Sequence, residues 1–313
     1  MRRTLVLLTI SALLATASCS SSDGSEGQGA GSSSGDEPTT TTEAPTEPLE
    51  DQTPPATING LDVDGDALWI ASIEGDEVIQ VDRSSGALLA RFPTDGAAPD
   101  DVAVADDGTV WVTGFGNGDL GRIVDGEYSV ATTLEPSINP IALDPDGVLW
   151  IGTYGPDGSL YRIDPGELPT GSNSATFWSP VAEGTMPDIN AFGILDDGTI
   201  VAPAGGIGGP GAAVAIDPAT AEVTEVVGDL SPVAAGATDA AGTPYLLANV
   251  SGEVYEIDVE AGTARVVTTV TTGGPFDNLA FAPDGTLYLS SFVAPEVVEV
   301  GTDGTARTIT IGS

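Results

Sequence analysis

Asp106-Asp107-Gly108-Thr109-Val110-Trp111 reads as a tight turn running into a strand that opens on an aromatic residue. The same pattern recurs as Val63-Asp64-Gly65-Asp66-Ala67-Leu68-Trp69 and Asp144-Pro145-Asp146-Gly147-Val148-Leu149-Trp150. It returns as Asp196-Asp197-Gly198-Thr199-Ile200-Val201, Asp239-Ala240-Ala241-Gly242-Thr243-Pro244-Tyr245 and Pro283-Asp284-Gly285-Thr286-Leu287-Tyr288. The six glycines are 43, 39, 51, 44 and 43 residues apart. A period in the forties built from strands and turns is the signature of a β-propeller with one blade per repeat. Three of the chain's four tryptophans, Trp69, Trp111 and Trp150, fall at one repeat position.

Each repeat has room for four antiparallel strands. In the first copy Leu61–Val63 precedes the turn and Leu68–Ser72 follows it. Val78–Asp82 alternates as a third strand, and the turn Arg83-Ser84-Ser85-Gly86 leads to a fourth, Ala87–Phe92. Period-two alternation ending on an Asp that starts a turn is what a half-buried hairpin requires. Beyond the N-terminal segment no apolar 3.6-residue period occurs, so almost no helix is expected. The fold class is therefore all-β, a six-bladed propeller over residues 57–313. The longest spacing holds an insertion, Pro165–Pro187, which carries the fourth tryptophan, Trp178. The last blade completes its own fourth strand with Arg307–Ile311. Ring closure then rests either on side-chain packing between blades or on the segment near Thr57 pairing outward.

Residues 1–18 have the form of an export signal: Arg2 and Arg3, then an apolar run from Leu5 to about Ala17 that is too short to span a bilayer. The run ends Ala15-Thr16-Ala17-Ser18-Cys19, which resembles a bacterial lipoprotein signal with Cys19 as the lipidated residue; Thr16 stands where that signal usually has Leu. The plain alternative is ordinary cleavage after small residues. Cys19 is the only cysteine in the chain, so it forms no internal disulfide. From Cys19 to residue 56 the composition is Ser, Gly, Thr, Pro, Asp and Glu, which buries too little apolar surface to offset its ordering entropy. This segment is expected to be a disordered tether. The protein is thus expected to be exported and held at the outer face of the bacterial cytoplasmic membrane by the lipid alone, as a monomer.

Charge narrows the partners. There are 47 acidic residues against 8 basic ones, a net charge of −39, and no lysine. Binding of nucleic acid needs clustered Lys and Arg and is excluded. Cations and positively charged partners are attracted instead. The absence of histidine removes Ser-His-Asp and Cys-His nucleophile systems and the usual zinc ligands. Oxygen-only sites for Ca²⁺ or Mg²⁺ remain open. Asp62-Val63-Asp64-Gly65-Asp66 has the start of a calcium loop, but Ile73 stands where a bidentate Glu belongs, so the stretch reads as a hairpin. Gly205–Gly211 lacks the helix and the Lys-Ser/Thr of a phosphate loop.

One constellation remains. Eight residues before the turn glycines stand Asp100, Asn139, Asn190 and Asp277, with Asn59 at the equivalent place in the first blade; Ala234 breaks the series in blade five. These positions start the innermost strands, which converge on one mouth of the central channel. The ends of the second strands bring Phe115, Tyr154, Asn249 and Phe292 to the rim of that mouth. A ring of amide and carboxylate oxygens with aromatic walls suits a hard cation or a small polar ligand. The plain alternative is that Asn and Asp begin these strands only because they favour turns.

Asn59-Gly60-Leu61-Asp62-Val63 and Asp277-Asn278-Leu279-Ala280-Phe281-Ala282-Pro283-Asp284-Gly285 resemble the strand-turn repeats of the gluconolactonase/regucalcin-like six-bladed propellers. They are also similar to NHL-type and streptogramin-lyase-like propellers. The resemblance to the gluconolactonase group implies a divalent cation, usually calcium, held by Asn59, Asn139, Asn190 and Asp277 and polarising a lactone. The chain has Asn59 where that group has Glu, and it lacks the histidine used by streptogramin lyases. Two functions follow as expectations. One is a tethered module binding a small polar ligand or a surface or secreted protein at the channel mouth and the Trp178 insertion; the other is a metal-dependent lactone or ester hydrolase.

Overall fold

The computed structural model describes residues 47–168, 178–205 and 209–312. The signal, Cys19, most of the tether, the stretch 169–177 of the insertion and 206–208 of the glycine-rich loop lie outside the described residues.

Six four-stranded antiparallel sheets succeed one another along the chain. Blade one is β1 (Leu61–Asp64), β2 (Ala67–Ser72), β3 (Glu77–Asp82) and β4 (Leu88–Pro93). Blade two is β5 (Pro99–Val104), β6 (Val110–Gly114), β7 (Asp119–Val124) and β8 (Glu127–Thr133). Blade three is β9 (Ile138–Leu143), β10 (Leu149–Thr153), β11 (Gly158–Ile163) and β12 (Ala182–Met186). Blade four is β13 (Gly193–Ile194), β14 (Ile200–Ala204), β15 (Gly211–Ile216) and β16 (Val223–Leu230). Blade five is β17 (Val233–Thr238), β18 (Pro244–Ala248), β19 (Glu253–Asp258) and β20 (Thr263–Thr269). Blade six is β21 (Phe276–Phe281), β22 (Leu287–Ser291), β23 (Glu296–Val300) and β24 (Ala306–Thr310). A short 3₁₀ turn at Pro165–Glu167 is the one helical element among the described residues. The architecture is a six-bladed propeller.

The repeat signature is explained by its hairpins. All six turn glycines have positive φ, between 54° and 85°, a region that costs an L side chain about 1–2 kcal/mol. The Asp before the glycine holds the turn: Asp107, Asp197 and Asp284 each accept the backbone N–H of the Thr two residues on at 2.9 Å. The aromatic three or four residues after each glycine sits in register opposite the first strand, Trp69 opposite Asp62, Trp111 opposite Ala103 and Trp150 opposite Ala142. Tyr245 and Tyr288 occupy that place in blades five and six, and Val201 in blade four. Two of these aromatics find a partner for their polar tip in the same turn: Trp150 Nε1 donates to Asp144 at 3.0 Å, and the Tyr245 hydroxyl donates to Asp239 at 3.2 Å.

The core is divided among the blade interfaces. Trp69 packs with Val102 and Val112 between blades one and two. Trp111 packs with Ile138 and Leu149 between two and three, and Trp150 with Phe192 and Ile200 between three and four. Separate clusters join blades four to five, five to six, and six to one. Each buried aromatic contributes about 2–3 kcal/mol through the area it hides, so the repeated aromatic fastens sheet to sheet.

Closure follows the packing alternative, with an addition. Blade six supplies its own fourth strand, and among the described residues no strand crosses from one end of the chain to the other. Ile58, Leu61 and Leu88 of the first blade pack with Tyr288, Ile309 and Ile311 of the last. Arg307 donates to the carbonyls of Ser84 at 2.8 Å and Arg83 at 3.1 Å, and Gly312 N–H donates to the Gly86 carbonyl at 2.9 Å. Residues 49–54, expected as the end of the tether, are also engaged here. Leu49 N–H donates to the Leu88 carbonyl at 2.8 Å, Gln52 accepts Leu88 N–H at 2.8 Å, and Arg91 donates to the Thr53 carbonyl. The outer strand of blade one offers free backbone groups, and the polar segment satisfies them.

Trp178 lies away from the channel. Its indole packs against the cluster between blades two and three, and its N–H reaches Thr132 on the outer strand β8 at 3.2 Å. Among the described residues its contacts are those of packing.

Candidate ligand site at the channel mouth

The innermost strands of four blades begin with a β-bulge at the position counted from the turn glycines. Register slips between Pro99 and Asp101, between Ile138 and Ile141, between Val233 and Ala235, and between Phe276 and Leu279. A bulge leaves a residue without a ladder partner and re-aims neighbouring side chains. That is why two consecutive acids, Asp100 and Asp101, are both buried, at 7 % and 4 % exposure, where strict alternation would send one outward.

The five ring residues come together at one mouth. Asn139 Nδ2 donates to Asn190 Oδ1 at 2.9 Å, and Asn190 Nδ2 reaches the Asp277 backbone carbonyl at 3.1 Å. Side-chain hydrogen bonds from Asn190 and Asn59 also reach the Asp277 carboxylate. No hydrogen-bond donor among the described residues reaches the Asp100 carboxylate; burial and then the negative charge of Asp277 push it up to about 8. Burial raises Asp277 as well, to about 6, against the lowering by its two amide donors. Two carboxylates held close with little water around them repel each other, and a cation between them would relieve that repulsion.

A cavity of about 200 Å³ opens over this ring. Its lining includes Asn59, Asn190, Asp277, Tyr154, Phe292 and Ala234. Ala234, the break in the series, is what leaves the space: a small residue stands between Asn190 and Asp277 where the other blades carry Asn or Asp. Tyr154 and Phe292 remain about two-fifths exposed on the wall. Phe115 is half-buried behind Tyr154, with ring centroids 6.3 Å apart. Asn249 lines the cavity, yet its amide is spent on the Phe276 carbonyl at 2.5 Å, so it ties blade five to blade six.

Sequence reasoning missed three members. Asp188, whose carboxylate accepts Gly155 N–H at 3.0 Å, lies on the cavity wall beside Tyr154. Burial first, and then Asp188, Asp277 and Asp100, raise the Tyr154 hydroxyl, so it stays a neutral phenol. Deeper in the channel, Asn278 Nδ2 donates to Asp101 Oδ1 at 3.0 Å, while Asp101 accepts Val102 N–H at 2.9 Å and Ile141 N–H at 3.3 Å. This pair links blades two, three and six, and burial holds Asp101 well above the usual carboxylate range. Gly60 permits it, because a Cβ there would lie 2.0 Å from Asp101 Oδ1. No repeat-wide pattern announces Asp188, since no other blade has an acid two residues before the ring position; Asp101 and Asn278 were legible only as second polar residues after the ring.

The donors at the mouth do not make a calcium shell. Among the described residues no group of three Asp, Glu, Cys or His side chains is placed to hold a metal ion. The Asn190 amide oxygen accepts from Asn139, and that of Asn59 accepts from Ile73 N–H at 3.3 Å. Calcium takes 6–8 oxygens; two carboxylates and amides bonded to each other do not form that shell as they stand. Asp62 is no loop ligand either, since its carboxylate accepts Val63 N–H at 2.7 Å and Val104 N–H at 2.8 Å.

Known proteins agree with the fold. A family model described as "Two component regulator propeller" matches residues 135–155, the first hairpin of blade three. No curated protein matches the chain in sequence. Among solved structures, a calcium-binding protein, regucalcin, from Agrobacterium tumefaciens is 18 % identical with a TM-score of 0.60, over 83 % of this chain and 92 % of that one. A gluconolactonase from Xanthomonas campestris is 15 % identical with a TM-score of 0.59, over 77 % and 86 %. Virginiamycin B lyase from Staphylococcus aureus is 15 % identical with a TM-score of 0.55, over 85 % and 88 %. At such identities the likeness is one of fold.

Proposed function

We propose that this protein is an exported, lipid-anchored propeller that binds a small polar ligand, or an exposed group of a surface or secreted protein, at the channel mouth. The observation carrying this reading is a cavity of about 200 Å³ lined by the Asp277 and Asp188 carboxylates, the Asn59 and Asn190 amides and the partly open rings of Tyr154 and Phe292. Carboxylates, amides and aromatic faces converging on one concave site are what a ligand pocket offers. Anchoring rests on Cys19 behind the signal of residues 1–18, with a tether that ends where residue 49 joins the propeller. The net charge of −39 leaves the lipid as the means of membrane attachment and favours cationic partners.

A second reading is a divalent-metal-dependent lactonase. It is supported by the paired carboxylates and by the likeness to regucalcin and gluconolactonase, and it requires the amides of Asn59, Asn139 and Asn190 to turn their oxygens inward. One set of measurements separates the two: melting of the purified propeller with EDTA and with added Ca²⁺, alongside lactone hydrolysis. Ligand binding at 100 times the dissociation constant stabilises by about 2.7 kcal/mol. A calcium-dependent shift with lactone turnover, both lost in Asn139→Ala/Asp277→Ala, establishes the hydrolase. An unmoved melt with no turnover leaves the binding module, whose anchor is checked by release of Cys19→Ser from the membrane fraction.

A further inference from the structure

The mouth combines three features that select one ligand chemistry. The first is a pair of acids on the cavity lining, Asp277 and Asp188, with the buried Asp100 close enough to Asp277 for their charges to interact. The second is an apolar wall, since Tyr154 and Phe292 keep part of their ring faces open. Third comes volume: about 200 Å³ exceeds the roughly 150 Å³ cavity that takes up benzene. A bare metal ion would use the acids and leave the apolar space unfilled, and the amide oxygens it needs are already engaged. A neutral polyol would leave the repulsion between Asp100 and Asp277 in place. An anion is excluded by the charge.

We propose that the mouth binds an organic ammonium ion, its cationic head between Asp277 and Asp188 and its carbon substituents against Tyr154 and Phe292. This rests on the reading of the mouth as a ligand site. Attraction of a cation to aromatic faces strengthens where water is excluded, and carboxylates at the same head add a direct Coulomb attraction. Phe115 holds Tyr154 from behind, which fixes the wall. Val250 and Val293, next in the chain to the lining residues Asn249 and Phe292, are exposed and apolar.

Choline is the probe, with 3,3-dimethylbutan-1-ol as its uncharged carbon isostere, measured by titration calorimetry and by thermal shift on the intact propeller. Choline should bind saturably and raise the melting temperature, and the isostere should bind at least about tenfold more weakly. Asp277→Asn should abolish choline binding while folding normally, because the amide removes a charge from the cavity lining and keeps the shape. Phe292→Ala should weaken binding severalfold. A lysine-containing peptide and its Nε-acetylated form identify the source of the cation: peptide binding lost on acetylation points to a side chain of a partner protein, and choline binding alone points to a free amine. Either result supports the proposal. Equal binding of choline and its isostere, unchanged choline binding in Asp277→Asn, or no binding of choline and peptide at millimolar concentration overturns it. If Ca²⁺ binds instead through Asp100 and Asp277, the ammonium assignment falls and the mouth remains a ligand site. If no probe binds, both fall.

Discussion

Aspartates at the blade turns and aspartates at the channel mouth are the same residue put to opposite uses. At the turns, Asp197 and Asp284 are exposed, accept backbone N–H groups, and are held below the usual carboxylate range by those bonds. At the mouth, Asp100 is buried and Asp277 half-buried, and among the described residues no donor reaches Asp100; loss of water around them pushes both up. A turn Asp stabilises the chain that carries it, whereas a mouth Asp costs the fold. Repeat position alone does not separate the two roles. What separates them is whether the backbone around the carboxylate supplies donors.

The largest effect belongs to neither set but to the aromatic that the turns position. Trp150 is 2 % exposed between blades three and four. Trp150→Ala should cost about 3–5 kcal/mol, lowering the melting temperature by roughly 10 °C for a domain of this size. Ligand binding at the mouth should survive in the folded fraction. A smaller loss than that of a turn variant would mean the blades are not fastened at this position.

A middle-sized effect, of opposite sign, is expected at the mouth. Asp100 gives up its proton near pH 4 when unfolded and only near pH 8 when folded, so the native state binds the extra proton between them. Its contribution to stability is full below about pH 4 and is lost as pH rises toward 8. Asp100→Asn should therefore stabilise the propeller at pH 8 by about 1–3 kcal/mol, a gain that shrinks toward zero near pH 5. Denaturant titrations of both proteins across that range measure it. Parallel pH curves would remove the distinction between mouth and turn.

How far the sequence could be read follows the same line. The turn glycines, their Asp partners and the aromatic after them are local chemistry, repeated six times, and they carried the blade count and the strand order. Counting back from those glycines reached Asp100, Asn139, Asn190 and Asp277 because the first hairpin has nearly constant length. Asp101 and Asn278 escaped because the bulges shift the period-two alternation by a residue, which depends on how a strand meets its neighbour. Ala234 read as a defect and proves to be the room in the site, since a cavity depends on what surrounds a position. Residues 49–54 look like tether in composition, and only the free edge of β4 explains why they are held. Asn249 was legible as a polar residue at a strand end, but its bond to the Phe276 carbonyl joins residues 27 apart in the chain.

The smallest predicted effect tests the turn side of the comparison. Asp197 Oδ1 accepts Thr199 N–H at 2.9 Å in the hairpin of blade four, and the carboxylate is exposed. Asp197→Ala removes one charge-assisted bond that solvent can partly replace, so it should cost about 1 kcal/mol. Its pH signature should be the reverse of that at the mouth. A carboxylate held below its unfolded range stabilises above that range and loses the contribution as pH falls through the folded value. The difference between wild type and Asp197→Ala should accordingly be constant from pH 6 to 8 and vanish in acid, below about pH 4. Asp197→Asn should recover part of the loss, because an amide oxygen still accepts the Thr199 N–H. Were Asp197→Ala to change the slope between pH 6 and 8, the turn carboxylate would be coupled to a buried group. The division between acids that build the hairpins and acids that await a cation would then have to be drawn elsewhere.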